Sequence, residues 1–153
     1  MYIWNAIASI NYNIDFILSE TEPELPFRLL VYADSYRTPE WSKSAVMYHI
    51  FVDRFARSEK ETLPVRKDAR LNPDWENGIP EYAPYPGAPL QNNEFFGGNL
   101  YGIIEKLDYL ADLGVNLLYL SPIFKAYSNH KYDTGDYAEI DEMFGGREAF
   151  EKL

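Results

Sequence analysis

A strand–helix–strand pattern over residues 45–120 constrains the fold most strongly. Residues 45–52 are almost continuously apolar, which is typical of a strand that is covered on both faces of a parallel sheet. Residues 100–113 repeat apolar side chains at helical spacing, with Asn99 as the N-cap and Gly114 as the stop signal. A second apolar strand over residues 115–120 completes a βαβ unit. The sequence therefore predicts an α/β fold with a parallel sheet.

The remaining segments are predicted to be less regular. Six of the ten prolines fall within residues 56–94, and apolar residues do not recur there at helical spacing. We therefore expect a long irregular insertion in this segment. We expect a second long loop over residues 123–144 and the beginning of a helix at residue 145. Short apolar and β-branched runs predict a small β domain over residues 1–36, which leaves residues 37–153 as the second domain.

Composition excludes several classes of function. The net charge is −10, from 14 Lys and Arg against 24 Asp and Glu, which disfavours nucleic acid and anionic membranes as partners. Zero cysteines exclude disulfides, thiolate nucleophiles and Cys-based zinc sites. No run approaches the roughly 18 apolar residues of a membrane span. We read no signal peptide at the N-terminus, which favours the cytoplasm but leaves the location open.

Aromatic residues make up 16% of the chain, including 13 tyrosines. They predict either an aromatic-rich core or, in addition, stacking surfaces for flat, weakly charged ligands such as sugars. Residues 127–137 concentrate three tyrosines, a histidine and two aspartates, a composition that suits sugar recognition. The alternative is a loop that folds on its own tyrosines, with Asp133 and Asp136 accepting hydrogen bonds from nearby backbone amides.

Several common catalytic and cofactor-binding motifs are absent from the sequence. There is no phosphate loop, no dinucleotide fingerprint, no His-Glu-x-x-His zinc motif and no Gly-x-Ser-x-Gly elbow. The two histidines are His49 and His130, and His49 lies in the middle of the first predicted strand. We expect His49 to be a hydrogen-bonded barrel residue, and Asp53 to form an internal ion pair with Arg54.

Four motifs in order resemble the α-amylase family, glycoside hydrolase family 13. Residues 50–55 (IFVDRF) resemble its first-strand signature, and residues 95–100 (FFGGNL) resemble its Gly-Gly-Asp-Leu helix entry. Residues 107–124 are similar to its first helix and second strand, and residues 128–141 are similar to the neopullulanase, cyclomaltodextrinase and pullulanase branch. The resemblance extends in register from about residue 41 to residue 153.

This resemblance implies a fold and an activity. It implies the first two βα units of a (β/α)₈ TIM barrel, preceded by the end of a β-sandwich domain. It implies a fragment of a retaining α-glucan hydrolase that cleaves starch, pullulan, maltooligosaccharides or cyclodextrins and that forms homodimers at full length. The nucleophile and the acid/base would lie beyond Leu153, so no catalytic residue is expected here and the isolated chain should be inactive. The alternative is a non-catalytic glucan-binding or interaction protein that keeps the front part of the barrel.

The resemblance also implies binding residues. Tyr132 matches the family tyrosine that stacks on the sugar at the cleavage subsite, and His130 and Asp133 flank it. No cofactor is required, although some members bind calcium near the first loop. Here the calcium ligands would be the Gly97 carbonyl, Asn99 and Glu59, in a region where the neighbouring Arg57 would repel a cation.

Overall fold

The computed structural model describes Ser35 and residues 37–153. The chain divides into two compact units, Met1–Lys43 and Ser44–Leu153. The described part of the first unit contains helix α1 (Glu40–Lys43). Apart from Ser35, the predicted β domain of residues 1–36 lies outside the described residues. In the part of the chain that the structure describes, no helix is long and apolar enough to cross a membrane.

The second unit combines helices with three two-stranded sheets. Its elements follow in this order: β1 (Met47–Ile50), α2 (Val52–Phe55), β2 (Arg70–Leu71), β3 (Glu94–Phe95), α3 (Leu100–Glu105), α4 (Leu107–Asp112), β4 (Leu117–Leu120), β5 (Phe124–Ala126), β6 (Thr134–Ile140), a 3₁₀ turn (Glu142–Phe144) and α5 (Gly146–Lys152).

The predicted βαβ unit is present. Strand β1 pairs in parallel with β4, in a register that places Met47 opposite Leu117 and Ile50 opposite Leu120. Both strands are shorter than predicted, and Val52 lies in α2 instead of in the strand. The chain turns after β1 because the Arg54 amide donates to the Phe51 carbonyl at 3.0 Å.

The helix that follows is capped as predicted but is not continuous. The Asn99 side chain accepts a hydrogen bond from the Gly102 amide at 2.8 Å, which satisfies one of the free amides of the first turn. The helix is interrupted at Lys106, whose φ and ψ are −106° and 5°. The Lys106 amide donates to the Ile103 carbonyl at 2.9 Å, three residues back, so a tight turn separates α3 from α4.

The prediction of a long loop over residues 123–144 is wrong. The segment contains an antiparallel hairpin, in which Phe124 pairs with Ile140 and Ala126 pairs with Thr134. Most β6 side chains are exposed, so the sequence lacks the apolar alternation that reveals a half-buried strand. Register shifts in β5 disturb the pattern further.

The insertion over residues 56–94 is mostly irregular, as predicted, but residues 70 and 71 within it form a short parallel pairing with its C-terminal end. The Arg70 amide donates to the Asn93 carbonyl at 2.9 Å, and the Asn72 amide donates to the Phe95 carbonyl at 2.8 Å. These bonds bring the insertion back against the core beside β3.

The core lies on one side of the β1–β4 sheet, and the opposite face is open. Tyr48 and Ile50 point towards the core, whereas Met47, His49 and Tyr119 are exposed on the other face. The main core cluster consists of Ile50, Val52, Phe95, Leu100, Ile103, Leu110, Ile123, Ile140, Met143, Phe144 and Ala149.

Candidate functional site

Polar side chains meet at the carboxyl ends of β1 and β4, which lie at the same edge of the parallel sheet. The His49 Nε2 atom lies 3.0 Å from the Oγ atom of Ser121, the residue that follows β4. The rings of His49 and Tyr119 contact each other edge to face, with centroids 4.9 Å apart. The expectation that His49 is hydrogen-bonded within the sheet is confirmed.

Asp53 is fully buried and organises the turn before α3. Its carboxylate accepts hydrogen bonds from the Phe96 amide at 3.0 Å and the Gly97 amide at 3.1 Å. The Arg54 Nε atom donates to it at 2.8 Å, which confirms the predicted ion pair. Burial raises the pKa of Asp53, while Arg54 and the two amides oppose this increase. The carboxylate therefore has a structural role in holding the turn.

The hairpin loop (residues 127–133) joins β5 to β6 and contains the predicted sugar-binding residues. Asp133 closes it, because its carboxylate accepts both the Ser128 amide, at 3.0 Å, and the Ser128 hydroxyl. Burial alone would raise the pKa of Asp133, but the bonds from Ser128 outweigh it and hold the pKa below its ordinary value. Asp136 likewise accepts the Ala138 amide at 2.8 Å. Both aspartates thus accept hydrogen bonds from nearby backbone amides, as the alternative to sugar binding predicted.

Tyr132 and His130 come together on the outer surface of the hairpin loop. Their ring centroids are 5.9 Å apart, and the Tyr132 amide donates to the His130 Nδ1 atom at 3.2 Å. The Tyr132 side chain is 63% exposed. Of the three residues predicted for sugar binding, Tyr132 presents an exposed ring, whereas His130 is half-buried with its Nδ1 atom 3.0 Å from the Ser128 Oγ atom, and Asp133 is engaged within the loop.

Lys131 anchors the hairpin loop from inside, a role that no sequence motif indicated. Its side chain is fully buried, and its Nζ atom lies 2.5 Å from Asp141 Oδ2 and 3.2 Å from the Ala126 carbonyl. The rings of Phe95 and Phe144 flank the ammonium at 4.9 and 5.0 Å. Burial lowers the pKa of Lys131, and Asp141 opposes that shift.

The insertion also holds the hairpin loop, through residues that no motif identified. The Asn129 amide donates to the Asn92 carbonyl at 2.7 Å, and its side chain donates to the Glu94 carbonyl at 2.9 Å. Arg66 donates to the carbonyls of Ala126 and Tyr127. The loop is therefore fixed on several sides, while the Tyr132 ring stays exposed and the His130 ring beside it is half-buried.

The three predicted calcium ligands do not fit a calcium ion. The Asn99 carboxamide oxygen accepts the Gly102 amide, and its nitrogen donates to the Gly97 carbonyl at 3.3 Å. Glu59 is paired with Arg57 at 2.9 Å, which brings a positive charge into the region. Among the described residues, no group of three or more His, Cys, Asp or Glu side chains could hold a metal.

Comparison with known proteins identifies the family. The α-amylase catalytic-domain model matches residues 49–153. The chain is 46% identical over 139 residues to an amylopullulanase from Thermoanaerobacterium saccharolyticum, covering 83% of this chain and 11% of the relative. It is 49% identical over 121 residues to the intracellular maltogenic amylase of Bacillus subtilis, covering 79% of this chain and 18% of the relative.

A solved structure of a glucan hydrolase is also similar to this chain. The ligand-free cyclic α-maltosyl-(1→6)-maltose hydrolase from Arthrobacter globiformis superimposes with a TM-score of 0.52 at 40% identity, covering 74% of this chain and 22% of that chain. The chain thus spans less than a quarter of the length of each of these three proteins. The family model covers more than half of the chain, and the parallel β1–β4 pair agrees with the TIM-barrel fold of that family. The chain therefore belongs to the α-amylase family of glycoside hydrolases.

Proposed function

We propose that residues 44–153 form the first two βα units of a (β/α)₈ barrel and supply part of the sugar-binding surface of a retaining α-glucan hydrolase. The parallel pairing of β1 with β4 across helices α3 and α4 supports the barrel assignment. Relatives named amylopullulanase, maltogenic amylase and cyclic maltosyl-maltose hydrolase support an α-glucan substrate.

The observation that carries this proposal is the exposed ring of Tyr132 on an internally anchored loop. An aromatic face binds a sugar ring through its apolar C–H surface, which leaves the sugar hydroxyls free for directional hydrogen bonds. His130 adds a second ring beside it, with centroids 5.9 Å apart. Because the loop is already fixed by Lys131, little conformational entropy is lost when a sugar binds.

The carboxylates of this region support a binding role in preference to a catalytic one. Retaining hydrolysis uses two carboxyl groups about 5–5.5 Å apart, one as nucleophile and one as acid/base. Asp53 is held by the amides of the turn before α3, Asp133 closes the hairpin loop and Asp141 pairs with Lys131. We therefore propose that both catalytic groups follow later strands of the barrel, outside residues 1–153.

One observation favours a second candidate function, a glucan-binding module without catalysis. The hairpin loop is held entirely by contacts within the described residues, through Arg66, Asn129, Lys131 and Asp133. A loop that is ordered in this way could bind a glucan without the rest of a barrel.

Two measurements on the 153-residue chain test the proposal. Release of reducing ends from pullulan, starch and cyclodextrin should not exceed that of a buffer control, and turnover would contradict the proposal. Calorimetry with maltohexaose should show no more than millimolar binding, which corresponds to about 4 kcal/mol, because the hairpin loop supplies only part of a sugar site, whereas micromolar affinity needs about 8 kcal/mol. Micromolar binding without turnover would favour the glucan-binding module.

A further inference from the structure

We propose that Arg66 is a positioning residue that fixes the base of the hairpin loop, so that Tyr132 is presented to the sugar. This inference rests on the proposed function, because it assigns Arg66 to the same binding surface. Arg66 lies in the proline-rich insertion, 60 residues before the first carbonyl that it contacts.

The guanidinium of Arg66 holds two consecutive carbonyls at the point where β5 passes into the hairpin loop. One terminal nitrogen donates to the Ala126 carbonyl, and the other donates to the Tyr127 carbonyl at 2.6 Å. A planar guanidinium offers donors in a fixed fork and can hold two acceptors at once, whereas an ammonium is a single point charge. The geometry therefore uses a property that is specific to arginine.

The Arg66 side chain is itself held in place. Its Nε atom donates to Asp68 at 3.1 Å, and its guanidinium carbon lies 5.8 Å from the centroid of the Phe95 ring and 5.6 Å from that of Tyr127. The side chain is 26% exposed. An arginine with these partners has few alternative rotamers, so its guanidinium can hold the two loop carbonyls in one position.

The Ala126 carbonyl links Arg66 to Tyr132. The same oxygen accepts a hydrogen bond from the Lys131 Nζ atom at 3.2 Å, so the two cations tie the beginning and the end of the loop to one acceptor. Lys131 directly precedes Tyr132 and has a φ of 61°, a left-handed conformation that L-residues seldom adopt without support. Loss of Arg66 should release the beginning of the loop and relax this conformation, which would move the Tyr132 ring.

Amide hydrogen exchange, measured by NMR on the 153-residue chain, tests the anchoring directly. In Arg66→Ala, the Lys131 and Tyr132 amides should exchange about tenfold faster, as expected from the loss of a charge-assisted hydrogen bond. The Ile103 amide, which is buried in α3, should not change. Arg66→Lys should give intermediate rates, and it also serves as the test variant if Arg66→Ala does not fold.

The matched control is Arg70→Ala. Arg70 lies in the same insertion, and its side chain pairs with Glu81 and makes no hydrogen bond to the hairpin loop in the described part of the chain. Its replacement should leave the Lys131 and Tyr132 amides at the wild-type rate. Unchanged loop amides in Arg66→Ala, or an equal increase at Ile103, would overturn the proposal, since the second result means a general loss of stability.

A maltotriose titration separates the failure of this inference from the failure of the proposed function. Arg66→Ala should raise the dissociation constant of maltotriose, measured at the Tyr132 amide, by about tenfold. Arg66→Lys should recover part of this loss of affinity. If maltotriose binds at Tyr132 equally well in wild type and Arg66→Ala, the inference is overturned and the proposed function stands. If maltotriose has no effect at Tyr132 in wild type, the proposed function and the sugar-positioning role fail together, whatever the exchange rates show.

Discussion

At the scale of single residues, the hairpin loop depends on a buried charge. Lys131 has its ammonium between two aromatic rings, with Asp141 and the Ala126 carbonyl as partners. Burying a charge is costly unless it is paired and hydrogen-bonded, and here both conditions are met. Removing one partner of such a pair should therefore cost more than removing both.

We expect Lys131→Met to lower the free energy of unfolding by about 3 kcal/mol, since it leaves Asp141 buried without its closest cation. The double variant Lys131→Met/Asp141→Asn should recover part of this loss, because no charge is then left unpaired. Urea unfolding measures both. Lys125→Met is the control, an exposed lysine on the same hairpin whose replacement should cost about 0.5 kcal/mol or less. Equal effects at positions 125 and 131 would contradict the account.

Asp133 should make the order of the hairpin loop depend on pH. Its pKa in the folded chain lies below the ordinary value of 3.8, so its contribution is complete above pH 3.8 and is lost as the pH falls through the folded pKa. The resonance of the Ser128 amide, which donates to Asp133, should therefore shift as the pH falls through the folded-state pKa of Asp133, and this amide should then exchange faster. An NMR titration of Asp133→Asn should lack this step. A step at the same pH in both proteins would assign it to another group.

At the scale of elements, the close contact between α3 and the chain after α2 depends on glycine. A Cβ atom at Gly102 would lie 2.3 Å from the Ala56 carbonyl oxygen, and one at Gly98 would lie 2.2 Å from the Val52 carbonyl oxygen. Both neighbours are backbone atoms, so a side chain could be accommodated only if the helix moved.

We expect Gly102→Ala to lower stability by about 1–3 kcal/mol or more, because the added methyl group forces α3 away from residue 56. Thermal unfolding is the measurement. Gly135→Ala is the matched control, since the nearest atom to its added Cβ is 3.5 Å away. If Gly102→Ala melts at the same temperature as Gly135→Ala, α3 does not pack closely against the Ala56 carbonyl.

The sequence predicted those elements whose burial leaves an apolar pattern. Strands β1 and β4 and the N-cap of α3 were predicted because the β1–β4 unit packs its apolar positions against one core. Hairpin β5–β6 was missed because most of β6 is exposed. The interruption at Lys106 was missed because lysine is a good helix former and no Gly or Pro marks the turn.

The candidate site was predicted only in part, for a related reason. The composition of residues 127–137 indicated a segment suited to sugar recognition, and the resemblance to the α-amylase family singled out Tyr132, His130 and Asp133 within it. Arg66 and Lys131 were missed because a charged residue in a loop is usually exposed. Their roles arise from contacts between distant parts of the chain, such as Arg66 with Tyr127, which local patterns do not encode.

At the scale of the whole molecule, the absence of a fitting calcium site in this region predicts that stability does not depend on calcium. A ligand that binds only the folded state stabilises it by about 2.7 kcal/mol at 100 times its dissociation constant. Because Asn99 is committed to α3 and Glu59 is paired with Arg57, we expect the same melting temperature in millimolar calcium chloride and in EDTA at matched ionic strength. A higher melting temperature in calcium alone would show that these residues rearrange around the ion.

The hairpin that carries the loop follows β4 directly along the chain, and active sites of TIM barrels form from the segments that follow the carboxyl ends of the strands. The opposite sheet face exposes Met47 and Tyr119, side chains that the interior of a closed barrel would cover. The sheet is therefore open on this face, whereas the hairpin loop is ordered by its own contacts. We propose that this loop binds α-glucan through Tyr132.

An NMR titration of the 153-residue chain with maltotriose tests this binding. We expect millimolar binding, with shifts confined to the hairpin loop and its neighbours, and loss of those shifts in Tyr132→Ala. Tyr137→Ala is the matched control, because Tyr137 is 74% exposed on the same hairpin and its ring contacts Phe124. It should bind like wild type. Shifts that persist in Tyr132→Ala, or that map away from the hairpin loop, would contradict the claim.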